Sequence, residues 1–260
     1  MITKHHPNIS IYISTNGFMA SRMQNVLNKA LRYTGNLTIG VSLDGIGAMH
    51  DKVRGIKGAF SMVCKTLDML RQLQRMQGGL QLQVTMTVLP CNYAQLQDVK
   101  YFADSYGARF DFQIPNITQS YFSNVDCEEA RYSSRALREM ERHVRRVTKE
   151  WHLKPSARFE LDGKFNYLRG GKKQIMPCFS GFRSFMLDPF GNIFPCLVFG
   201  EKFGNIRLKS LQEIWMSHRT RCVRRLIAKG KCPGCWLGCE IPLSMAYNLH
   251  KLIPYVMNLR

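Results

Sequence analysis

No stretch of the sequence approaches the ~18 consecutive apolar residues of a membrane-spanning helix. Met1 to Ser14 carries histidines and a lysine but no long apolar core, so a secretory signal is not expected there. A P-loop, a nucleophile elbow and a paired-carboxylate signature are all missing. Acidic residues are scarce: 18 Asp and Glu stand against 37 Lys and Arg, a formal charge of +19. That surplus admits a nucleic-acid surface or an acidic partner. The cations are spread along the chain, however, without the aromatic interleaving of single-strand binders, so nucleic acid is not the expected ligand. What the chain does have is cysteine, nine in 260 residues. With no export signal, the expected compartment is the reducing cytoplasm, where clustered thiols favour metal over disulfides.

Five of the nine are grouped. Cys232, Cys235 and Cys239 form C-x2-C-x3-C, and Cys178 and Cys196 flank an expected β-hairpin upstream. Its strands are Phe185-Met186-Leu187 and Ile193-Phe194, with Asp188 to Asn192 as the turn. A hairpin brings its ends together, so Cys178 and Cys196 can approach each other. Ser210 and Glu213 form a capping box for a helix that carries the chain toward Cys232. The order cysteine, hairpin, cysteine, helix, C-x2-C closes a four-thiolate cage, suited to an iron–sulfur cluster or to zinc. Cys64, Cys91 and Cys127 are scattered and read as structural thiols, and Cys222 lies in a helix.

The first half alternates strands with amphipathic helices. Ile9 to Ile13, Leu37 to Ser42, Leu82 to Leu89 and Phe110 to Ile114 are expected strands. Helices are expected around Met23–Leu31, Phe60–Leu73 and the segment through Phe102 that Asn92 caps, while His50, Asp51 and Arg54 are placed in a polar loop. This pitch implies parallel strands, in an open sheet or a barrel. A long loop, Pro115 to Asp126, is a candidate substrate contact. A basic helix carrying Leu137, Met140, Val144 and Val147 follows, and Ala157 to Leu161 is read as a fifth strand. The apolar, cationic tail from Ile241 is expected to pack on a domain, with membrane-surface binding as the second reading.

Several pieces together resemble radical S-adenosylmethionine (SAM) proteins with a C-terminal auxiliary-cluster domain of the SPASM or twitch kind. They are Ser14-Thr15-Asn16-Gly17, Val41-Ser42-Leu43-Asp44-Gly45, His50-Asp51-x-x-Arg54-Gly55, Asp188 to Cys196, Gly204-Asn205-Ile206, Leu211-x-x-Ile214-Trp215 and the terminal cysteines. The resemblance implies an α/β fold: an incomplete (βα)6 barrel over residues 1–160, then a small α+β cluster domain over 174–260. It implies that Asn16, Ser42, Asp44 and Arg54 meet SAM, although Asn16 and Asp44 serve equally well as turn residues and Arg54 as a surface cation. It implies an auxiliary [4Fe–4S] cluster on Cys178, Cys196, Cys232 and Cys235, with Cys239 as an alternate fifth ligand. A peptide or small-molecule substrate and an electron donor such as a flavodoxin or ferredoxin complete the expectation. The other class that the residues allow is a non-enzymatic iron–sulfur or zinc module, binding a partner or RNA through its basic surface.

One departure from the family matters. Radical SAM enzymes hold their principal cluster on C-x3-C-x2-C, with a Gly-Gly-Glu motif further on, and neither motif occurs in this sequence. The chain by itself is therefore not expected to cleave SAM. The missing ligands are expected upstream in a truncated or mis-assigned start or on a separate N-terminal chain, unless the protein is a degenerate relative.

Overall fold

The computed structural model describes residues 6, 8–121, 123–126, 132–171 and 175–257. Cys127 lies outside them. Two compact units divide at Gln113 and Ile114. The helices after residue 130 fall in the second, cysteine-rich unit.

The first unit is a four-stranded parallel sheet in the order β1 (Ile11–Thr15), β2 (Leu37–Ser42), β3 (Leu80–Thr87), β4 (Arg109–Gln113). Helices α1 (Ala20–Ala30), α2 (Ala48–Arg54), α3 (Ala59–Met76) and α4 (Leu96–Ser105) fill the connections. Period-two alternation divides the sheet cleanly. Leu37, Ile39 and Val41 line one face with Leu82, Val84 and Met86, all buried. Onto these pack Val63, Leu67 and Leu70 of α3 and Leu96 and Val99 of α4, while Leu27 of α1 is buried where α1 meets α3. The residues in between are polar: the register aligns Ser14, Gly40, Gln83 and Arg109 in one row, and Ser42, Thr85 and Asp111 in the next. Parallel sheets normally bury both faces in apolar side chains. A polar second face is what the wall of a barrel shows toward its lumen. Gly40 is required there, because a Cβ would fall 1.8 Å from the Tyr12 hydroxyl lying across it.

Two local expectations fail in this unit. His50, Asp51 and Arg54 are helical, not loop. Asp51 accepts from the N–H groups of Gly58 (2.6 Å) and Phe60 (2.8 Å), tying α2 to the start of α3. Asn92 does not cap the helix after it. Its Oδ1 accepts from Leu89 N at 2.7 Å and its amide donates to the carbonyls of Asp44 and Thr87, stitching two strand ends together.

In the second unit the basic segment forms α5 (Ser134–Lys149), capped by Ser133, followed by α6 (Pro155–Leu168). The fifth strand expected at Ala157–Leu161 is thus helix. Its apparent alternation coincides with the buried positions Phe159, Leu161 and Phe165 of a helical face, and Pro155 suits a first helical turn. A small antiparallel sheet follows, β5 (Met186–Leu187), β6 (Asn192–Phe194) and β7 (Gly204–Asn205), as the turn chemistry anticipated. Then come α7 (Leu211–Trp215) with its Ser210/Glu213 capping box, α8 (His218–Ala228), α9 (Ile241–Ala246) and α10 (Ile253–Met257). The tail packs as expected: Ile241 and Met245 are buried with Phe159 and Trp236, and Leu252 and Tyr255 pack against that cluster. Among the described residues no helix is long and apolar enough to cross a membrane.

One contact in this unit is unusually tight. Gly163 sits mid-helix in α6 because the Trp236 indole lies directly on it, and a Cβ there would come within 1.9 Å of the ring. Burying an indole of roughly 200 Å² contributes on the order of 5 kcal/mol at ~25 cal/mol per Å². Gly163→Val is expected to cost at least about 2 kcal/mol by overpacking, read as a lower midpoint in urea. A midpoint equal to that of the unaltered chain contradicts the contact.

Candidate metal centre

Four of the five grouped thiols meet. Cys178, Cys196, Cys232 and Cys235 line one small cavity with Ser180, Val198, Phe199, Ile227 and Gly234. Cys178 and Cys196 arrive from the two sides of the β5–β6 hairpin, and Cys232 and Cys235 from the loop after α8. Cys239 does not line this cavity and is exposed. Among the described residues no three His, Cys, Asp or Glu side chains gather closely enough to hold a single ion. The four sulfurs surround a space instead.

The walls are apolar, with backbone N–H groups aimed at the sulfurs. Ser180 N donates to Cys178 Sγ and Phe199 N to Cys196 Sγ, each at 3.4 Å. Burial pushes the Cys196 thiol up to about 11, against the opposing pull of the Phe199 and Val198 N–H groups. The Cys235 thiol is driven higher still, first by burial and then by the neighbouring Cys196, while Leu237 N–H opposes. Without a cation among them these groups stay protonated at neutral pH. Thiols this close and this dry are fitted to share a metal centre, whose positive charge offsets both penalties.

Residues far apart in sequence hold the cage. Asn116 Oδ1 accepts from Trp236 N at 3.2 Å, fixing the residue after Cys235. Ser120 donates to the carbonyls of Leu197 and Val198, beside Cys196. The loop Pro115–Asp126 is thus structural to the cage. Glu240 Oε2 accepts from Ser180 Oγ (2.6 Å) and Ser184 Oγ (2.8 Å), bracing the hairpin entry. Arg224 lies 4.1 Å over the Trp215 ring and donates to the carbonyls of Gly181 and Trp215, joining α7 and α8 to the same entry. None of these partners carries a local signature; only the cysteines and the capping box did.

At the C-terminal ends of the parallel strands, the expected SAM residues fall into two pairs. The Thr15↔Val41 register sets Asn16 beside Ser42, and Asn16 Oδ1 accepts from Phe18 N at 3.1 Å in a turn. Asp44 and Arg54 bond to each other at 2.7 Å. Asp44 is buried, and its other oxygen accepts from Thr87 N at 2.8 Å. His50 Nδ1 accepts from Asp44 N at 3.0 Å. Burial lowers the His50 pKa against the opposing Asp44 charge, so this fully buried imidazole is neutral and serves as an acceptor.

Comparison with known proteins follows the same outline. Residues 178–239 match the iron–sulfur cluster-binding domain SPASM. The antilisterial bacteriocin subtilosin biosynthesis protein AlbA of Bacillus subtilis (strain 168) is 26% identical over 245 residues, covering 87% of this chain and 50% of AlbA. The chain thus spans half the length of that relative. The structure of anSMEcpe with bound AdoMet and Kp18Cys peptide superposes with a TM-score of 0.53 at 12% identity, over 98% of this chain and 78% of that one. A second anSMEcpe structure, with AdoMet and Cp18Cys peptide, gives a TM-score of 0.53 at 12% identity, over 98% and 79%. At such identities the structural likeness speaks to fold alone. Residues 178–239 are thus similar to the SPASM iron–sulfur cluster-binding domain, and most of the chain is similar to AlbA, in line with the resemblance its motifs carry.

Proposed function

We propose that this chain is the substrate-side portion of a peptide-modifying radical SAM protein, with an auxiliary [4Fe–4S] cluster held by Cys178, Cys196, Cys232 and Cys235. The observation that carries this reading is the convergence of those four thiols on one apolar cavity with N–H donors at two sulfurs. A four-thiolate zinc site draws every sulfur to about 2.3 Å from one ion, whereas a cluster distributes its thiolates over several irons. The match of residues 178–239 to an iron–sulfur cluster-binding domain favours the cluster, and Cys239, which does not line the shared cavity, is not among its ligands. When bound, the auxiliary cluster supplies a one-electron acceptor for the substrate radical or an open iron that anchors substrate. The chain's own contribution is to exclude water from the sulfurs and to fix their spacing.

The peptide substrate rests on the relatives: one is a bacteriocin biosynthesis protein and another is a structure with a bound peptide. On the sheet, Asn16, Ser42 and the Asp44–Arg54 pair form the SAM-facing rim, where hydroxyl and carboxylate groups suit a ribose and a guanidinium suits a carboxylate. Radical generation takes thiolates that are not in these 260 residues, so this stretch alone releases no 5′-deoxyadenosine.

Three outcomes are expected. Anaerobic reconstitution with iron and sulfide should load about four iron per chain, as a [4Fe–4S] cluster requires. Ala at Cys178, Cys196, Cys232 or Cys235 should lower the iron content and the visible charge-transfer absorption, and Cys239→Ala should not. Bound zinc with no uptake of iron, or loss of iron in Cys239→Ala alone, sinks the assignment. In chromatographic assays with SAM and dithionite, the reconstituted stretch should release no 5′-deoxyadenosine, and its production would overturn the claim of incompetence. In urea, Asp44→Ala should cost about 1–3 kcal/mol, because it strands the half-covered Arg54 and the Thr87 N–H. Asn16→Ala, which removes only a turn contact, should cost distinctly less. Equal losses would show that the pair does not brace the rim.

A further inference from the structure

A second concavity lies away from the thiols, formed by α5, α6 and α10. Its volume is about 410 Å³, within the usual range of ligand pockets, and no cysteine lines it. Arg145, Lys149 and Arg158 contribute its cationic wall, and Leu153 and Leu161 its apolar part. The charge balance on this wall is uneven. Arg145 is already neutralised, bonded to Glu141 at 2.9 Å and to Asp162 at 2.8 Å. Asp162, the only carboxylate lining the pocket, spends its other oxygen on the Tyr255 hydroxyl at 2.7 Å. Neither Lys149 nor Arg158 has an acidic partner among the described residues. Arg158 also closes the first turn of α6, which holds no acidic residue and has no side-chain cap, so the positive end of that helix adds to the same field.

Two uncompensated cations beside the half-buried Leu153 side chain select a ligand that is anionic and partly apolar. We propose that this pocket binds an acidic segment of the substrate peptide, Glu or Asp interspersed with aliphatic side chains, at a distance along the peptide from the residue that reacts. The assignment rests on the peptide reading above and deepens it: binding energy gained away from the reacting residue is available to position the rest of the substrate. A free phosphate would use the cations but leave the open part of Leu153 in water. The overall charge of +19 raises a diffuse field, and the proposal differs from it in being local.

The test uses the full, anaerobically reconstituted chain and fluorescence anisotropy with two labelled probes, the peptides Ac-LEELEEL-NH2 and Ac-LQQLQQL-NH2. The Glu peptide should bind at least about tenfold more tightly than the Gln peptide at one ionic strength. The double variant Lys149→Glu/Arg158→Glu should lose at least about tenfold in affinity. The milder Lys149→Gln/Arg158→Gln should lose a smaller factor and guards against misfolding, which thermal melts would register. The control Arg221→Glu/Arg225→Glu makes the same charge change on the exposed face of α8, and should stay within about twofold of the parent. Equal losses in the two Glu doubles, or equal binding of the two peptides, overturn the proposal in favour of a diffuse field. Competition by millimolar inorganic phosphate, or by a short single-stranded RNA at lower concentration than the Glu peptide, overturns it in favour of a phosphate site. Iron content measured on the same samples reports the cluster separately, so failure of the cage and failure of this pocket are distinguishable.

Discussion

Four sulfurs brought together out of water are the constraint on which the cysteine-rich unit depends. Burial raises the Cys196 and Cys235 thiols above their ordinary range, and neighbouring sulfurs raise both further. A protein with no use for the charged form could place Leu or Val at these positions and gain packing. Retaining four thiols, with N–H groups aimed at two of them, makes sense when the thiolates face a strong positive charge. Binding must displace their protons, so the free energy of the centre and the fold of the unit are coupled. The strands here are only two or three residues long, and a sheet of that size has little stability of its own. A metal centre bridging the hairpin to the α8 loop would supply the cross-link that such a small sheet lacks.

The remaining contacts of that unit read as supports for the loop holding Cys232 and Cys235. Trp236 inserts against Gly163, its backbone is fixed by Asn116, and Phe159 packs at 6.1 Å between ring centroids. Moving the indole by one rotamer would move Cys235 with it. On the other side, the Ser217 cap sets where α8 begins and Arg224 ties that helix to Trp215 of α7, which together set where Cys232 emerges. Cysteine chemistry at the centre is thus positioned by ordinary packing and backbone capping.

Which of this was legible in the sequence follows from how far each signal reaches. Turn residues, capping boxes and alternating apolar runs act over a few residues, so β1 to β7, the hairpin and the α7 cap could be read directly. The cysteine spacing was legible because metal ligation constrains it. Ala157 to Leu161 misled because a five-residue alternation is compatible with both periods, and only Pro155 hinted at helix. Asn92 misled for another reason: it sits where a cap belongs, yet two carbonyls and an N–H from the neighbouring strand ends compete for it more strongly. Asn116 and Gly163 were invisible because their partner is Trp236, more than 70 residues away, and no local pattern encodes that distance.

The sheet poses the complementary problem. Its apolar face is satisfied by helices, but Ser14, Ser42, Gln83, Thr85 and Arg109 stand on a face with nothing apolar to bury. An open parallel sheet in water would gain from helices on that side as well. A polar face is favoured where the ligand enclosed is itself polar, because every hydroxyl and amide then keeps a partner. A nucleoside carrying an amino-acid group meets that description, with ribose hydroxyls, a charged carboxylate and an amine. The Asp44–Arg54 pair is suited to such a rim for a specific reason. Its guanidinium is held at one end by Asp44, and its Nε is buried without a partner. An anionic oxygen arriving there would gain a donor already oriented and already partly desolvated, so little ordering cost would remain for the ligand to meet.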